Sequence, residues 1–381
     1  MGSQVGYRAL AMAHGGVQDK RALASKINST IGPRVRSIRA ASDYCMSARR
    51  STQPNQLLEM LASPAARALI ALALVLMVGT IFNADGAFFK FGTHRDTLRQ
   101  ASVYGILACG LTLVIISGGI DLAVGSVLAL TAVCGSTMAI HWGWSGWLVV
   151  PVCLLIGGLS GGLSGLVTAR MRVQPFIATL AMMVLARGAA KYASGGMKVS
   201  TAVKSADGTY NYVDVPALFR GIDTRILGGN VSMVTVIFLA GVVVAWFVLS
   251  RLVWGRYLYA IGNNEQATRF SAVPVTLAKG CAYVASGMFA AVAGLCQAAQ
   301  EQQGDPEAGI GYELIAIAMV VIGGTNLAGG RGGMGLTLLG VLTIGYLDKI
   351  LSINAVPEAG RLMLTGVIIV AAVLTQRRQR N

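Results

Sequence analysis

The stretch Ser117-Gly118-Gly119-Ile120-Asp121-Leu122-Ala123-Val124-Gly125-Ser126 sets one carboxylate between two long apolar runs. A charge at the centre of a bilayer costs about 2.5 to 3.5 kcal/mol on insertion scales, so Asp121 needs a reason to be there. Gly118 and Gly119 permit a sharply turned or unwound backbone, which a membrane-embedded chain tolerates only where it is buried in protein or lines a cavity. Standing just ahead of "LAVGSVLALTAV", Asp121 either caps the next helix, accepting the orphan amides of its first turn, or lines a polar path; the two roles are compatible. A second stretch repeats the pattern. Gly323-Gly324-Thr325-Asn326-Leu327-Ala328 follows "AIAMVVI" as Gly118-Gly119-Ile120-Asp121-Leu122-Ala123 follows "LTLVIIS", with Asn326 in the place of Asp121. Paired interruptions at related positions are what a duplicated membrane core produces.

Other chemistry is absent from the pattern. Cys45, Cys109, Cys134, Cys153, Cys281 and Cys296 form no CxxC pair, and five of them fall in apolar runs, where cysteine acts as a small hydrophobe. His14, His94 and His141 are scattered without HExxH spacing, so no metal, cofactor or hydrolytic site follows. "GGTNLAGGRGGMG" is rich in glycine and carries Arg331, but the phosphate-cradling GxxxxGK[ST] is missing and no glycine anywhere precedes a lysine. Any ATP this system uses is therefore bound by another chain.

These residues must be positioned by membrane-spanning elements. Of 381 residues, 54% are hydrophobic and 12% charged, against about 25% charged in soluble domains. Apolar runs recur at 68–83, 101–117, 122–140, 147–168, 175–194, 231–249, 279–299, 312–324, 334–353 and 361–376, most of them near the length that crosses about 30 Å of hydrocarbon. The expectation is an all-α integral membrane protein of about ten transmembrane helices, with both termini on one side. Nine of the 31 Lys and Arg lie in the first 50 residues, and Arg377, Arg378 and Arg380 close the chain. Basic ends flanking apolar spans favour cytoplasmic termini and account for the net charge of +15 without nucleic acid. Lys90, Arg95 and Arg99 fall on the outer side and run against that bias.

Residues 1–64 read as a poorly ordered basic extension with no secretory h-region, and the functional chain is expected to start near Met46 or Met60. The membrane domain is 65–376, and 377–381 is a basic cytoplasmic tail. Residues 195–230 make an external loop in which "ADGTYNYVDVP" suggests a short hairpin, and Trp142, Trp144 and Trp147 crowd an external turn. In "GGLSGGLSG", Gly157, Gly161 and Gly165 share one helix face, a close-packing seam. Residues 250–278 are internal: Asn264 and Glu265 precede "QATRFSA", a short amphipathic turn that Pro274 ends. Such a helix lying across the inner face is either a connector or a lever.

Taken together, "GGIDLAVGSVLAL", "VQPFIATLAMMVLARG", "AIGNNEQATRFSAVPV" with "YVASGMFAAVAG", and "AGIGYELIAIAMVVIGGTNLAGGRG" resemble, in order, the permease subunits of bacterial ABC importers for monosaccharides of the ribose, xylose and arabinose type. The resemblance implies a type II importer-like pore subunit in the bacterial inner membrane. Its partners would be a second permease copy (homodimer or related heterodimer), a cytoplasmic ATP-binding subunit, a periplasmic sugar-binding protein and membrane lipid. It also implies that Gly262, Asn263, Asn264, Glu265, Ala267 and Ser271 form the coupling helix that docks on the ATPase. "SAVPV" departs from the family, which has glycine where this chain has Ala272. For a neutral, hydroxyl-rich sugar the path needs scattered polar groups; Asp121, Asn326, Gln174, Gln297 and Gln300 offer themselves beside the breaks at Gly118, Gly119, Gly323 and Gly324. The rival reading is an ion-coupled secondary transporter, with Arg187, Lys191 and Glu313 as its ionisable groups.

Overall fold

The computed structural model describes residues 63–204 and 209–377; the expectations for the amino-terminal extension and the basic tail lie outside the described residues, apart from their first or last residues. Every apolar run coincides with a helix. In chain order these are α1 Pro64–Ile81, α2 Phe91–Ile116, α3 Val124–Ser136, α4 Gly146–Gly165, α5 Pro175–Ser194, α6 Ala217–Asp223, α7 Met233–Arg251, α8 Val253–Asn263, α9 Glu265–Phe270, α10 Val275–Glu301, α11 Tyr312–Gly323, α12 Met334–Ile353 and α13 Glu358–Arg377. Helices dominate because hydrocarbon supplies no partner for backbone N–H and C=O, so each segment must satisfy its own.

Among the described residues, eight helices are long and apolar enough to cross a bilayer. Two of them gain length from a wide terminal turn, Thr137–His141 after α3 and Leu166–Arg170 after α4, where Trp142 N donates to Thr137 O and Met171 N to Leu166 O. α11 is shorter, 12 residues, or about 18 Å at the helical rise. The irregular segment 302–311 leads into it, turning on left-handed Gln302, Gly309 and Gly311.

α2, α3 and α10 form the centre. From Ala101 to Ile116, α2 is buried almost without interruption, whereas α1 buries only Ala68 and Gly79. The glycine seam of α4 packs on α10. A Cβ at Gly157 would sit 2.2 Å from Gly287 O and one at Gly161 2.1 Å from Tyr283 O, so the helices meet backbone to backbone.

The segment between α5 and α7 holds the expected hairpin, β1 Ala202–Lys204 antiparallel to β2 Tyr210–Tyr212. A second hairpin, β3 Arg225–Ile226 with β4 Val231–Ser232, turns on left-handed Leu227, Gly228 and Gly229 and was not foreseen. Two of the three cations that ran against the charge bias, Arg95 and Arg99, find partners here. Arg99 pairs with Asp223, Arg225 with Asp96 at 3.2 Å, and Arg95 donates to Gly229 O at 2.9 Å. Trp142 and Trp144 lie 5.3 Å apart with their rings tilted at 53°, just ahead of Gly146, which faces Leu218 of α6.

Candidate functional site

The two glycine-rich breaks adopt one motif. α2 ends with Gly118 N donating to Ile115 O and Gly119 N to Val114 O, and α11 with Gly324 N donating to Val321 O and Thr325 N to Val320 O. This double bond requires a left-handed residue just past the helix, and Gly118 (φ 76°) and Gly324 (φ 110°) supply it. The conformational match pairs Gly118 with Gly324, one residue out of step with the sequence match. Gly119 is constrained differently, since a Cβ there would lie 2.5 Å from the Tyr283 hydroxyl.

Asp121 and Asn326 also behave alike. Asp121 Oδ1 accepts from Ala123 N and Asn326 Oδ1 from Ala328 N, each at 3.0 Å. These are turns closed two residues ahead of the side chain. Asp121 therefore does not cap α3: the residue before Val124 is Ala123, and no side chain bonds that first turn. The i+2 bond uses the carboxylate before the helix begins. Its other oxygen accepts from Ser286 Oγ of α10 at 2.7 Å, and the residue is 2% exposed. Asp121 is a buried latch between the break and α10, with both oxygens occupied.

The segment between α7 and α10 folds as two short helices. Gly255, Leu258 and Ile261 form the buried stripe of α8. Asn264 is extended (φ −159°) and separates α8 from α9, and its side chain caps α9 by accepting from Ala267 N at 2.9 Å. Glu265 reaches Arg269 at 2.7 Å and Lys279 of α10 at 3.0 Å, fixing α9 to the next span. Partial burial pushes the Glu265 carboxyl up, but the hydrogen bonds from Lys279 and Arg269 outweigh it and hold the group below the usual carboxylate range. Ala272 follows α9 in a left-handed conformation (φ 58°), the geometry that favours glycine. Asn263, Asn264, Ala267 and Ser271 are exposed, and Phe270 is 92% exposed at the tip.

The structure joins α8 to the end of α2 and to the loop after α11 at one point. Gly330 N donates to Ile116 O at 2.9 Å, tying the loop after α11 to the end of α2. Gly262 lies against this bond: a Cβ there would be 2.0 Å from Ile116 O and 2.3 Å from Gly330 N. A Cβ on left-handed Gly329 would be 2.9 Å from the Cα atoms of both Gly118 and Gly262. Asn263 Nδ2 donates to Tyr259 O at 2.9 Å and reaches Gly330 O at 3.4 Å, and the Tyr259 hydroxyl donates to Gly332 O at 2.9 Å. Sequence reasoning singled out Gly118 and Gly262 separately but missed Tyr259, Gly329, Gly330 and Gly332. The available signal was the glycine density of "AGGRGGMG". Gln174 is not part of this cluster; it is exposed ahead of α5, and its side chain makes no cap bond.

Two of the three ionisable groups of the rival reading, Arg187 and Lys191, build a clamp, while Glu313 sits in the first turn of α11. Arg187 donates to Pro306 O at 2.6 Å and Ala308 O at 2.7 Å, Lys191 pairs with Glu307 at 2.6 Å, and Lys198 with Asp305 at 3.0 Å. They hold the irregular segment that leads into α11. Gln300 donates to Arg99 O at 3.3 Å, and Gln297 bonds Glu301. Among the described residues no three His, Cys, Asp or Glu side chains gather to hold a metal ion.

A bundle of spans with two interrupted helices that meet at α8 is the architecture of a multi-pass membrane permease. Residues 95–373 match the family described as "Branched-chain amino acid transport system / permease component", and the chain belongs to it. The ribose import permease of Haemophilus influenzae is 39% identical over 312 residues, covering 81% of this chain and 91% of the relative. The fructose import permease of Rhizobium meliloti is 34% identical over 319 residues (82% and 84%), and the xylose transport system permease of Escherichia coli K12 30% identical over 359 residues (80% and 90%). No solved structure matches the chain. A permease component of this kind works with separate ATP-binding and substrate-binding partners, and ATP hydrolysis belongs to the former.

Proposed function

We propose that this chain is the membrane-spanning subunit of an ATP-driven importer that carries a monosaccharide of the ribose type into the cytoplasm by alternating access. The contact of Gly262 with both helix breaks carries the reading, because it gives the exposed lever a direct mechanical hold on two interrupted spans. In this mechanism Gly262, Asn263, Asn264, Glu265, Ala267 and Ser271 form the docking surface for a cytoplasmic ATPase. Closure of the ATPase moves α9. The Glu265–Lys279 pair passes that motion to α10, and Gly262 passes it to the ends of α2 and α11. A second permease copy completes the pore, a periplasmic binding protein delivers the sugar on the side of residues 195–230, and both termini are cytoplasmic.

Two other substrates or energy sources are open to test. The family's description names branched-chain amino acids, whereas the relatives of 30–39% identity are named for ribose, fructose and xylose. An ion-coupled carrier is disfavoured by the occupied state of Arg187 and Lys191. The deciding experiment reconstitutes the chain with its ATPase in vesicles and supplies the binding protein. Uptake of D-ribose that needs both ATP and binding protein is the expected result. Uptake of L-leucine instead, or uptake by the chain alone on a proton or sodium gradient, overturns the reading.

A further inference from the structure

We propose that the irregular segment 302–311 marks the face on which a second copy of this chain docks, so that the segments of the two copies line the pore between them. The inference rests on the functional reading above and adds which surface the second copy covers. The first observation is depth. Just past the end of α10, Val199 and Gly304 pair backbone to backbone, each N donating to the other's O at 2.8 Å. From there the segment runs down α3: a Cβ at Gly304 would lie 2.7 Å from Ala132 O, and one at Gly309 2.5 Å from Gly125 O. Residues 132 and 125 of one helix stand about 10 Å apart at the helical rise. Gly125 lies between Asp121, held by Ser286 of α10, and Leu128, whose carbonyl faces Gly294 of α10. Ser286 and Gly294 bracket the middle of α10, at 27 residues the longest described span. The segment therefore reaches the middle of the bundle before α11 begins at Tyr312.

The second observation is what the segment presents. Irregular backbone at membrane depth persists only where protein or water covers it, and ionisable side chains there face a bundle interior or a water-filled cavity. One side of the segment is covered within the chain, by α3 and by the bonds from Arg187 to Pro306 O and Ala308 O. The other side is open in a single copy. Glu307 pairs with Lys191 of α5, each side chain about half exposed, while Ile310 is 64% exposed and Leu314, in the first turn of α11, 55%. Lipid suits neither that ion pair nor the backbone turning at left-handed Gly309 and Gly311. By contrast Leu155, Leu159 and Leu163 are exposed on the regular helix α4, which hydrocarbon covers without stranding a polar group. A second copy related by a two-fold axis closes the open side with a self-complementary contact. Ile310 and Leu314 meet their own counterparts, and the Glu307–Lys191 pair stays in the water of the shared pore.

Photocrosslinking in the complex of this chain with its ATPase, in nanodiscs, tests the face directly. A benzophenone amino acid replaces Ile310, Leu314 or Leu159, one at a time, and mass spectrometry identifies what each position captures. An adduct of two copies of this chain is expected from Ile310 or Leu314, in a yield about fivefold above that from Leu159, which should capture lipid. Leu314 decides the matter if the variant at Ile310 does not assemble. Lipid adducts alone from both positions, an equal two-chain yield from Leu159, or capture of a different permease chain overturns the proposal. ATP-driven ribose uptake by the native complex, measured in parallel, separates the two ideas: with uptake intact, lipid adducts at Ile310 and Leu314 remove the interface alone, while absent uptake removes the functional reading.

Discussion

Gly262→Ala is the sharpest probe of how the lever works. The added Cβ would sit 2.0 Å from Ile116 O and 2.3 Å from Gly330 N, both backbone atoms, so α8 has to retreat from the joint by about 1 Å. Overpacking of this kind costs about 1–3 kcal/mol, and straining the 2.9 Å bond between Gly330 N and Ile116 O adds about 1 kcal/mol. The penalty, about 2–4 kcal/mol, falls only on the conformation in which the lever touches both breaks. At 1.4 kcal/mol per tenfold it biases the alternating equilibrium by about 30- to 700-fold. In proteoliposomes with ATPase and binding protein, uptake should fall at least tenfold while ATP hydrolysis changes less than about twofold. Gly188→Ala is the control: it meets nothing within 4 Å on α5 and should transport normally. Normal uptake by Gly262→Ala, with assembly intact, would falsify the joint as the point of transmission.

Three further outcomes follow from the same geometry. Asp121→Asn keeps the turn to Ala123 and sets an amide N–H against Ser286 Oγ, which then accepts where it donated, so transport should stay within about threefold of native; Asp121→Leu strands both donors, should cost about 1–3 kcal/mol for each, and should reduce assembled complex on gel filtration. Ala272→Gly relieves a left-handed alanine and should stabilise the lever by about 1 kcal/mol, read as slower hydrogen exchange of the α9 amides. Because the folded Glu265 carboxyl titrates below its ordinary value of 4.5, its pairs with Lys279 and Arg269 contribute fully above that pH and are lost as pH falls through the depressed folded value. Exchange protection of α9 should therefore be flat from neutral pH to about 5 and drop below it, and Glu265→Gln should abolish the acid step; a native profile in that variant rules out the ion pairs as its source.

How much of this was legible beforehand varies with the range of the interaction. The short helix α9 and its end before Pro274 were readable, because each depends on residues within a few positions of one another, whereas Asn264 as its cap was not singled out. The similarity of the breaks was readable as a matched glycine pair and a matched Asp and Asn, but the one-residue offset was not, since which glycine turns left-handed is set by where each helix stops. Of the two roles read for Asp121, helix cap and path-lining group, the cap gives way to a latch, because its partner Ser286 lies 165 residues away on a helix whose rotation the sequence leaves open.

By itself the sequence determined the apolar runs, the glycine seam and the short amphipathic segment between two spans, and it carries no phosphate-cradling motif. Each follows from local composition: hydrocarbon demands self-satisfied helices of set length, and a cap or phosphate loop is a short-range motif. Only the tertiary structure decided that Gly262, Gly118 and Gly329 touch, that Arg187 clamps a loop, and that this loop runs down α3 from Ala132 to Gly125. These depend on which helix faces meet, a choice made by close packing among many apolar surfaces that are nearly alike in sequence.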